Sequence, residues 1–220
     1  MGIDPFRKAR RPGARAALLP SEETPTKSAT LDDLQALERG CAGDSPIDLR
    51  DRAIVALFVT TAARNTSVRL LRLEDVDFAR GLIRFVRAKG GKTLEVALHR
   101  QARNALEAYM TNARAALLGA HRDTGYLFPA NNGAGEPLGA NAVSLMLTRR
   151  YRAGGGTLRH FGSHRIRHAT ATLLVNNGMP LDEVSRYLGH SSTDVTRRYA
   201  QQTPEALGAR AADAFARSAS

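Results

Sequence analysis

The sequence has one cysteine, no tryptophan and only four lysines among its 220 residues. A single cysteine, Cys41, cannot form an intramolecular disulfide, which excludes disulfide-stabilised secreted scaffolds and favours a reducing compartment. The chain contains no run of eighteen apolar residues, so we expect no membrane-spanning helix and no membrane partner. The first nineteen residues mix Arg, Pro and Asp, which is not the pattern of a secretory signal. These absences together predict a cytoplasmic protein.

Positive charge is abundant and comes mostly from arginine. Lys and Arg number 32 against 21 Asp and Glu, giving a net charge of +11. Arginine makes flat bidentate contacts with phosphate oxygens, so this excess favours a polyanionic partner. The alternative is that a GC-rich genome encodes arginine where others encode lysine. Net charge alone does not choose between DNA, RNA and an acidic protein.

The first 29 residues differ in composition from the rest of the chain. They combine clustered basic residues with four prolines and almost no apolar periodicity. A segment this short cannot bury a core of its own, so residues 1–29 are predicted to be a flexible basic arm able to lie along phosphates. Residues 2–6 resemble a remnant of an expression vector. Residues 30–220 are predicted to form the folded domain.

Helical patterns dominate that domain. Thr30 and Asp33 resemble a capping box at the first helix, and the apolar run from Ile54 to Ala63 predicts a deeply buried helix that stops at Arg64. Ser163 is predicted to cap a later helix that reaches Asn177. The sequence predicts a mainly α protein.

One β-hairpin interrupts the helices. Between Leu82 and Leu98 the apolar residues change to the two-residue period of a β-strand, and the two predicted strands flank a Gly-Gly turn. Lys89 and Lys92 lie at the tip of this hairpin. The predicted architecture is therefore mainly α with a small β-hairpin or sheet.

Two histidines and an arginine form the first candidate site. On a helix, His164 shares a face with Arg167 and His168, and an imidazole beside a guanidinium can clamp a phosphate. On spacing alone, a solvated basic face is slightly favoured. His160, His164 and His168 also have a zinc-like spacing, but no His-Glu-x-x-His pattern accompanies them, so a metal site is disfavoured.

The second candidate site is the segment Gly189-His190 followed by Tyr199. Gly189 can end a helix and present His190 at a turn. Tyr199 follows two arginines and is the least core-like of the five tyrosines, because the other four lie in apolar patterns: Tyr109, Tyr126, Tyr151 and Tyr187.

These residues carry a family resemblance. Arg, Lys, His-x-x-Arg, His and Tyr occur in the order and at the separations typical of the tyrosine recombinase (phage integrase) family. The positions are Arg64, Lys89, His164, Arg167, His190 and Tyr199. The resemblance covers about residues 29–205 and implies the catalytic-domain fold of that family. Family members normally carry a helical core-binding domain before the catalytic one, and we expect it to be absent from this chain.

The resemblance also implies the chemistry. Tyr199 would be the nucleophile that cleaves a DNA strand and leaves a 3′-phosphotyrosyl link. The other groups would assist: Arg64 and Arg167 by gripping the phosphate oxygens, His164 by taking the tyrosine proton, His190 by hydrogen-bonding the phosphate, and Lys89 by protonating the departing 5′-oxygen. Lys92 is the alternative to Lys89. No cofactor and no metal are expected, since the cations supply the positive charge.

Double-stranded DNA is the implied partner, contacted by a homotetramer that is monomeric in solution and associated with the nucleoid. Further candidate DNA contacts are Lys92, Arg165, Arg197, Arg198, Arg7, Lys8, Arg10 and Arg11. A C-terminal helix over about 203–217 presents a narrow apolar stripe that could pack on a neighbouring protomer or on its own domain. The acidic residue that usually follows the first family arginine is missing, because Arg64 precedes Asn65, Thr66 and Ser67.

Two other functions remain open. One is a relaxing enzyme of the type IB topoisomerase kind, which uses similar residues. The other is a non-catalytic or partner-dependent DNA-binding relic of the family. The compact register from His164 to Tyr199 favours a recombinase over the relaxing enzyme, and the filled set of six chemical positions argues against the relic.

Overall fold

The structure, a computed structural model, describes residues 29–86, 93–130, 135–188 and 204–217. In these ranges the helices are α1 (Leu31–Arg39), α2 (Pro46–Thr61), α3 (Asn65–Arg69), a 3-10 helix (Leu73–Asp75), α4 (Arg100–Asn112), α5 (Arg114–Leu118), α6 (Ala140–Ala153), α7 (Ser163–Asn176), α8 (Leu181–Tyr187) and α9 (Pro204–Arg217). The strands are β1 (Val76–Asp77), β2 (Leu82–Val86) and β3 (Thr93–Ala97). None of these described helices is long and apolar enough to cross a membrane.

Helix α2 is the centre of the core. Ser45 caps its N-terminus in a capping box with Asp48, and a proline occupies the first turn. The helix is buried on all sides from Ala53 to Val59 because it packs against α1, α4, α5 and α7. This confirms the predicted buried helix. It ends at Thr61, two residues earlier than the apolar run suggested, because Ala62 adopts a left-handed conformation.

The sheet is antiparallel, with strand order β1-β2-β3. Strands β2 and β3 pair with Ile83 opposite Val96, which confirms the predicted hairpin. The tip of the hairpin, with Lys89 and Lys92, lies outside the described residues. Strand β1 was not predicted, since a two-residue strand is too short to show an alternating pattern.

The C-terminal ends of α1 and α6 meet at two glycines. A Cβ atom on Gly40 would overlap the carbonyl group of Arg150, and one on Gly154 would overlap that of Ala36. Glycine is therefore required at both positions for the two helices to approach this closely.

Helix α7 begins one residue earlier than predicted. Gly162 is the N-cap and makes no side-chain capping bond, while Ser163 is the first helical residue. The prediction that Ser163 caps this helix was wrong, since its backbone is already helical. Gly178 follows the C-terminus with φ +88°, the conformation that made a glycine expected there.

Helix α9 packs on its own domain, against β3 and α7. Ala211 and Ala214 are buried, and Asn177 Nδ2 donates to the carbonyl oxygen of Ala214 at 2.8 Å. The ring of Phe215 meets His99 edge-on, with centroids 5.5 Å apart. The apolar stripe left two alternatives open for this helix. In the single chain, α9 packs on its own domain.

A bidentate ion pair links α5 to the loop that follows it. Both Arg114 Nη atoms donate to the Asp123 carboxylate at 2.7 Å. These hydrogen bonds, with one from the Gly125 backbone, lower the Asp123 pKa from 3.8 to about 2. A depressed folded-state pKa stabilises the fold above the ordinary carboxyl pKa, and that stabilisation is lost as the pH falls toward 2.

We therefore expect Asp123→Asn to lower the free energy of unfolding at pH 7 by about 1–2 kcal/mol, a value reduced because Asp123 is 42% exposed. The free energy of unfolding of the variant should also fall less between neutral pH and pH 2 than that of the unmodified protein. Urea unfolding at several pH values measures both effects. Glu107→Gln is the matched control, since its i,i+4 pair with Arg103 is exposed at both ends and should contribute little. Equal losses in the two variants would contradict the prediction.

Candidate active site

Two of the predicted site residues line one cleft. Arg64 and Arg167 are separated by about a hundred positions in sequence, yet both border a small cleft whose lining also includes Phe85, Leu94 and Leu188. Thr61, Ala63 and Ser67 complete the described lining, which contains no carboxylate. Two arginines bordering one partly apolar cleft favour binding of an anion.

A larger cleft of about 450 Å³, which shares Ser67 with this one, contains charges of both signs. Its lining includes Glu74 and Asp75, and the Asp75 carboxylate accepts a hydrogen bond from Arg84 at 3.1 Å. The positive charge there is therefore already balanced, which makes the Arg64–Arg167 cleft the better anion site.

Arg167 is held from two sides by backbone carbonyl groups. Nη1 donates to the oxygen of Ala62 at 2.6 Å, and Nη2 donates to the oxygen of Leu188 at 2.9 Å. These carbonyls lie at the C-terminal ends of α2 and α8. An arginine has five N–H donors in a rigid plane, so these two bonds fix the orientation of the guanidinium.

Within the described ranges, only the backbone places Arg64. It is the N-cap of α3, with an extended backbone, and its exposed side chain makes no hydrogen bond or ion pair with another described residue. Asn65, at the position after it, donates from Nδ2 to the carbonyl oxygen of Ala140 at 3.2 Å and so ties α3 to α6. The short polar segment that replaces the expected acidic residue thus holds the helix rather than the arginine.

Ala62 forms the corner between the two arginines. Its φ of 50° is the only positive value at a non-glycine residue in the described ranges, and such a conformation costs about 1–2 kcal/mol. The residue is fully buried, its N–H donates to the oxygen of Phe58 at 2.9 Å, and its carbonyl accepts from Arg167. The surrounding contacts therefore hold the backbone in this strained conformation.

The neighbouring carbonyls at the end of α2 are also capped by side chains. Thr170 Oγ1, on α7, donates to the oxygen of Val59 at 3.1 Å, and the Tyr187 hydroxyl, on α8, donates to that of Thr60. The sequence indicated Tyr187 only as a packing residue. The available signal was chemical, since a buried tyrosine hydroxyl needs a partner.

His164 and Arg165 take different positions on α7. His164 is exposed, one helical turn before Arg167. Arg165 does not line the cleft, and its charge acts on Asp33 of α1. Burial opposes ionisation of Asp33, but hydrogen bonds from Tyr151 and Thr30, with the charge of Arg165, leave its pKa below the usual value.

The remaining predicted site residues lie outside the described ranges. They are Lys89, His190 and Tyr199 of the chemical set, and Lys92, Arg197, Arg198, Arg7, Lys8, Arg10 and Arg11 of the DNA-contact set. The structure thus brings Arg64 and Arg167 together, with His164 on the helix that carries Arg167.

Comparison with known proteins shows the family. The model described as "Phage integrase family" matches residues 27–206, and the chain belongs to that family. The sequence is 35% identical over 193 residues to tyrosine recombinase XerD of Mycobacterium tuberculosis, covering 86% of this chain and 60% of the relative. It is 32% identical over 168 residues to tyrosine recombinase XerC of Lactobacillus delbrueckii subsp. bulgaricus, covering 76% of this chain and 56% of the relative. The chain thus spans less than two thirds of the length of these relatives.

Solved structures confirm the predicted fold class. The crystal structure of XerA recombinase matches with a TM-score of 0.63 at 24% identity, over 81% of this chain and 62% of that one. The lambda integrase catalytic core matches with a TM-score of 0.55 at 17% identity, over 74% of this chain and 94% of that one. The mainly helical fold with a small antiparallel sheet is therefore that of integrase catalytic domains.

Proposed function

We propose that this protein is a site-specific DNA recombinase that cleaves and rejoins strands through a 3′-phosphotyrosyl intermediate. The observation that carries the proposal is the pair of guanidiniums, Arg64 and Arg167, in one cleft with no carboxylate in its described lining. Family membership and relatives named tyrosine recombinases support the same activity. The phosphodiester of DNA is the anion that this activity would bring to the cleft.

The proposed cleavage step balances as a phosphoryl transfer. The Tyr199 oxygen forms a bond to phosphorus while the bond from phosphorus to the 5′-oxygen breaks. His164 accepts the phenolic proton, and Lys89 donates a proton to the departing 5′-oxygen. Arg64, Arg167 and His190 bind the non-bridging oxygens, where negative charge increases in the transition state.

Rejoining is the reverse reaction. A 5′-hydroxyl attacks the phosphotyrosyl phosphorus and releases Tyr199. The energy of the phosphodiester is kept in the tyrosyl link, so the cycle needs no nucleotide. Attack by a hydroxyl from another duplex gives recombination, whereas attack by the original hydroxyl restores or relaxes the substrate.

The proposed partner is double-stranded DNA, with the protein acting at the nucleoid. A related solved structure is the XerH site-specific recombinase bound to its difH substrate, which matches this fold with a TM-score of 0.63 at 22% identity. Exchange between two duplexes involves four strands, and one nucleophilic tyrosine per chain cleaves one strand. A tetramer on DNA is therefore proposed as the recombining assembly.

The test is covalent capture. A pool of nicked duplexes with a randomised core should yield a protein–DNA adduct that survives SDS, because cleavage beside the nick releases a short fragment that carries the 5′-hydroxyl and its loss prevents rejoining. Sequencing the captured DNA identifies the site, and mass spectrometry of nuclease-treated adduct locates the modified tyrosine. DNA retained without any covalent adduct would instead support the binding-only alternative. Relaxation of plasmids that lack the captured site would support a topoisomerase.

A further inference from the structure

We propose that Tyr187 and Thr170 are positioning residues, whose hydroxyl groups hold the end of α2 so that Arg64 and Arg167 stay at a fixed separation. The inference rests on the proposed function, since it concerns how the two arginines come to fit one phosphate. Neither hydroxyl lies in the described lining of the cleft, so both would act through the backbone.

The last turn of a helix leaves carbonyl groups without intrahelical partners. At the end of α2, three of these carbonyls receive side-chain donors from α7 and α8. Thr170 Oγ1 donates to Val59, the Tyr187 hydroxyl to Thr60, and Arg167 Nη1 to Ala62. The helix that carries Arg167 and the helix that follows it thus clamp the segment that leads into Arg64.

The threonines within α2 do not supply these donors. Thr60 Oγ1 donates back to the oxygen of Ala56 at 2.7 Å, and Thr61 Oγ1 to that of Leu57 at 2.6 Å. Both side chains therefore bond to the preceding turn, and the carbonyls of Val59 and Thr60 take their donors from α7 and α8.

The clamp matters because Arg64 has no side-chain partner among the described residues. Its location depends on the strained corner at Ala62, two residues earlier, and on the α2 turn before that corner. Loss of a donor would let this turn relax and would move Arg64 relative to Arg167. A displacement of about 1 Å is enough to reduce a rate on the order of a hundredfold.

The experiment separates positioning from stability. Tyr187→Phe and Thr170→Val remove one hydroxyl each and keep the buried volume close to its original value. Thr170→Ser keeps the donor. Tyr109→Phe is the matched control, since that buried hydroxyl also donates to a backbone carbonyl, of Leu127 at 3.0 Å, and neither residue lines the cleft.

Single-turnover adduct formation at saturating DNA should slow by roughly tenfold or more in Tyr187→Phe and Thr170→Val. DNA affinity should stay within about twofold, because phosphate contacts dominate binding. Thr170→Ser should restore the rate, and Tyr109→Phe should cleave like the unmodified protein. Equal rates in Tyr187→Phe and Tyr109→Phe would overturn the inference.

A second measurement is independent of cleavage. Inorganic phosphate, titrated while the Nε–Hε NMR signals of Arg64 and Arg167 are followed, should shift both signals in the unmodified protein and in Tyr109→Phe. In Tyr187→Phe the two signals should respond several-fold more weakly. Absence of any adduct, with this phosphate response intact, would reject the proposed function and leave the positioning role standing. An identical response in both tyrosine variants would reject the positioning role.

Discussion

Tyr199→Phe should abolish the covalent protein–DNA adduct completely and leave DNA affinity within about twofold. The substitution removes a single oxygen, which is the atom that would attack phosphorus. A phenylalanine ring has no nucleophilic group, so no residual reaction at this position is expected. Gel analysis of the adduct in SDS, beside a filter-binding measurement of affinity, tests both parts.

The other tyrosines are poor candidates for the nucleophile. Tyr109 and Tyr187 are buried, burial raises their pKa, and each hydroxyl donates to a backbone carbonyl. The Tyr151 hydroxyl donates to the Asp33 carboxylate at 2.5 Å. The Tyr126 ring packs beneath the guanidinium of Arg72, 4.6 Å from the ring centroid. These contacts are consistent with Tyr199, the tyrosine that the family resemblance implies, as the proposed nucleophile.

Tyr126→Phe is the control for this prediction, because Tyr126 is the least buried of the four described tyrosines. It should form adduct at the rate of the unmodified protein. An adduct that persists in Tyr199→Phe, or that disappears in Tyr126→Phe, would assign the nucleophile to a different residue and would end the proposed mechanism.

Arg167→Lys should reduce the cleavage rate by about 10²–10³, although the charge is retained. Arginine holds the carbonyls of Ala62 and Leu188 through two different Nη atoms of one plane. Lysine has a single nitrogen, so it cannot reproduce these two bonds from one rigid plane. The loss should appear in the single-turnover rate, with DNA affinity little changed.

Arg64→Lys is the informative comparison. Arg64 makes no side-chain hydrogen bond or ion pair with a described residue that a substitution would break. A lysine there loses the bidentate contact with the phosphate but leaves the surrounding structure intact. Its rate should therefore fall less than that of Arg167→Lys. A larger loss at Arg64 would show that the carbonyl bonds of Arg167 contribute little to the site.

Several parts of the fold could be predicted from local patterns. The capping box at Thr30 and Asp33 forms as expected, since its donors and acceptors are three residues apart. The hairpin between Leu82 and Leu98 follows from apolar residues that alternate with a period of two on either side of a turn. Helix α5 was missed, because Arg114–Leu118 is too short for its pattern to differ from the end of α4.

The candidate site divides in the same way. The family resemblance, carried by the order and separations of these residues, suggested an anion-binding set that includes Arg64 and Arg167. Their meeting in one cleft could not follow from spacing, since about a hundred residues separate them. The roles of Tyr187 and Thr170 could not be predicted either, because a hydroxyl on an apolar stripe does not reveal which distant carbonyl it will reach.

The sequence by itself determined the mainly helical class, the buried α2 and the hairpin, since these depend on residue type and on the short-range period of the apolar pattern. Only the tertiary structure decided that α9 packs on its own domain and that Ala62 takes a left-handed corner. It also decided that α7 and α8 supply donors to the end of α2. The physical reason is that unpaired carbonyls and apolar faces specify a need for partners, while the packing of the whole chain selects which partners meet that need.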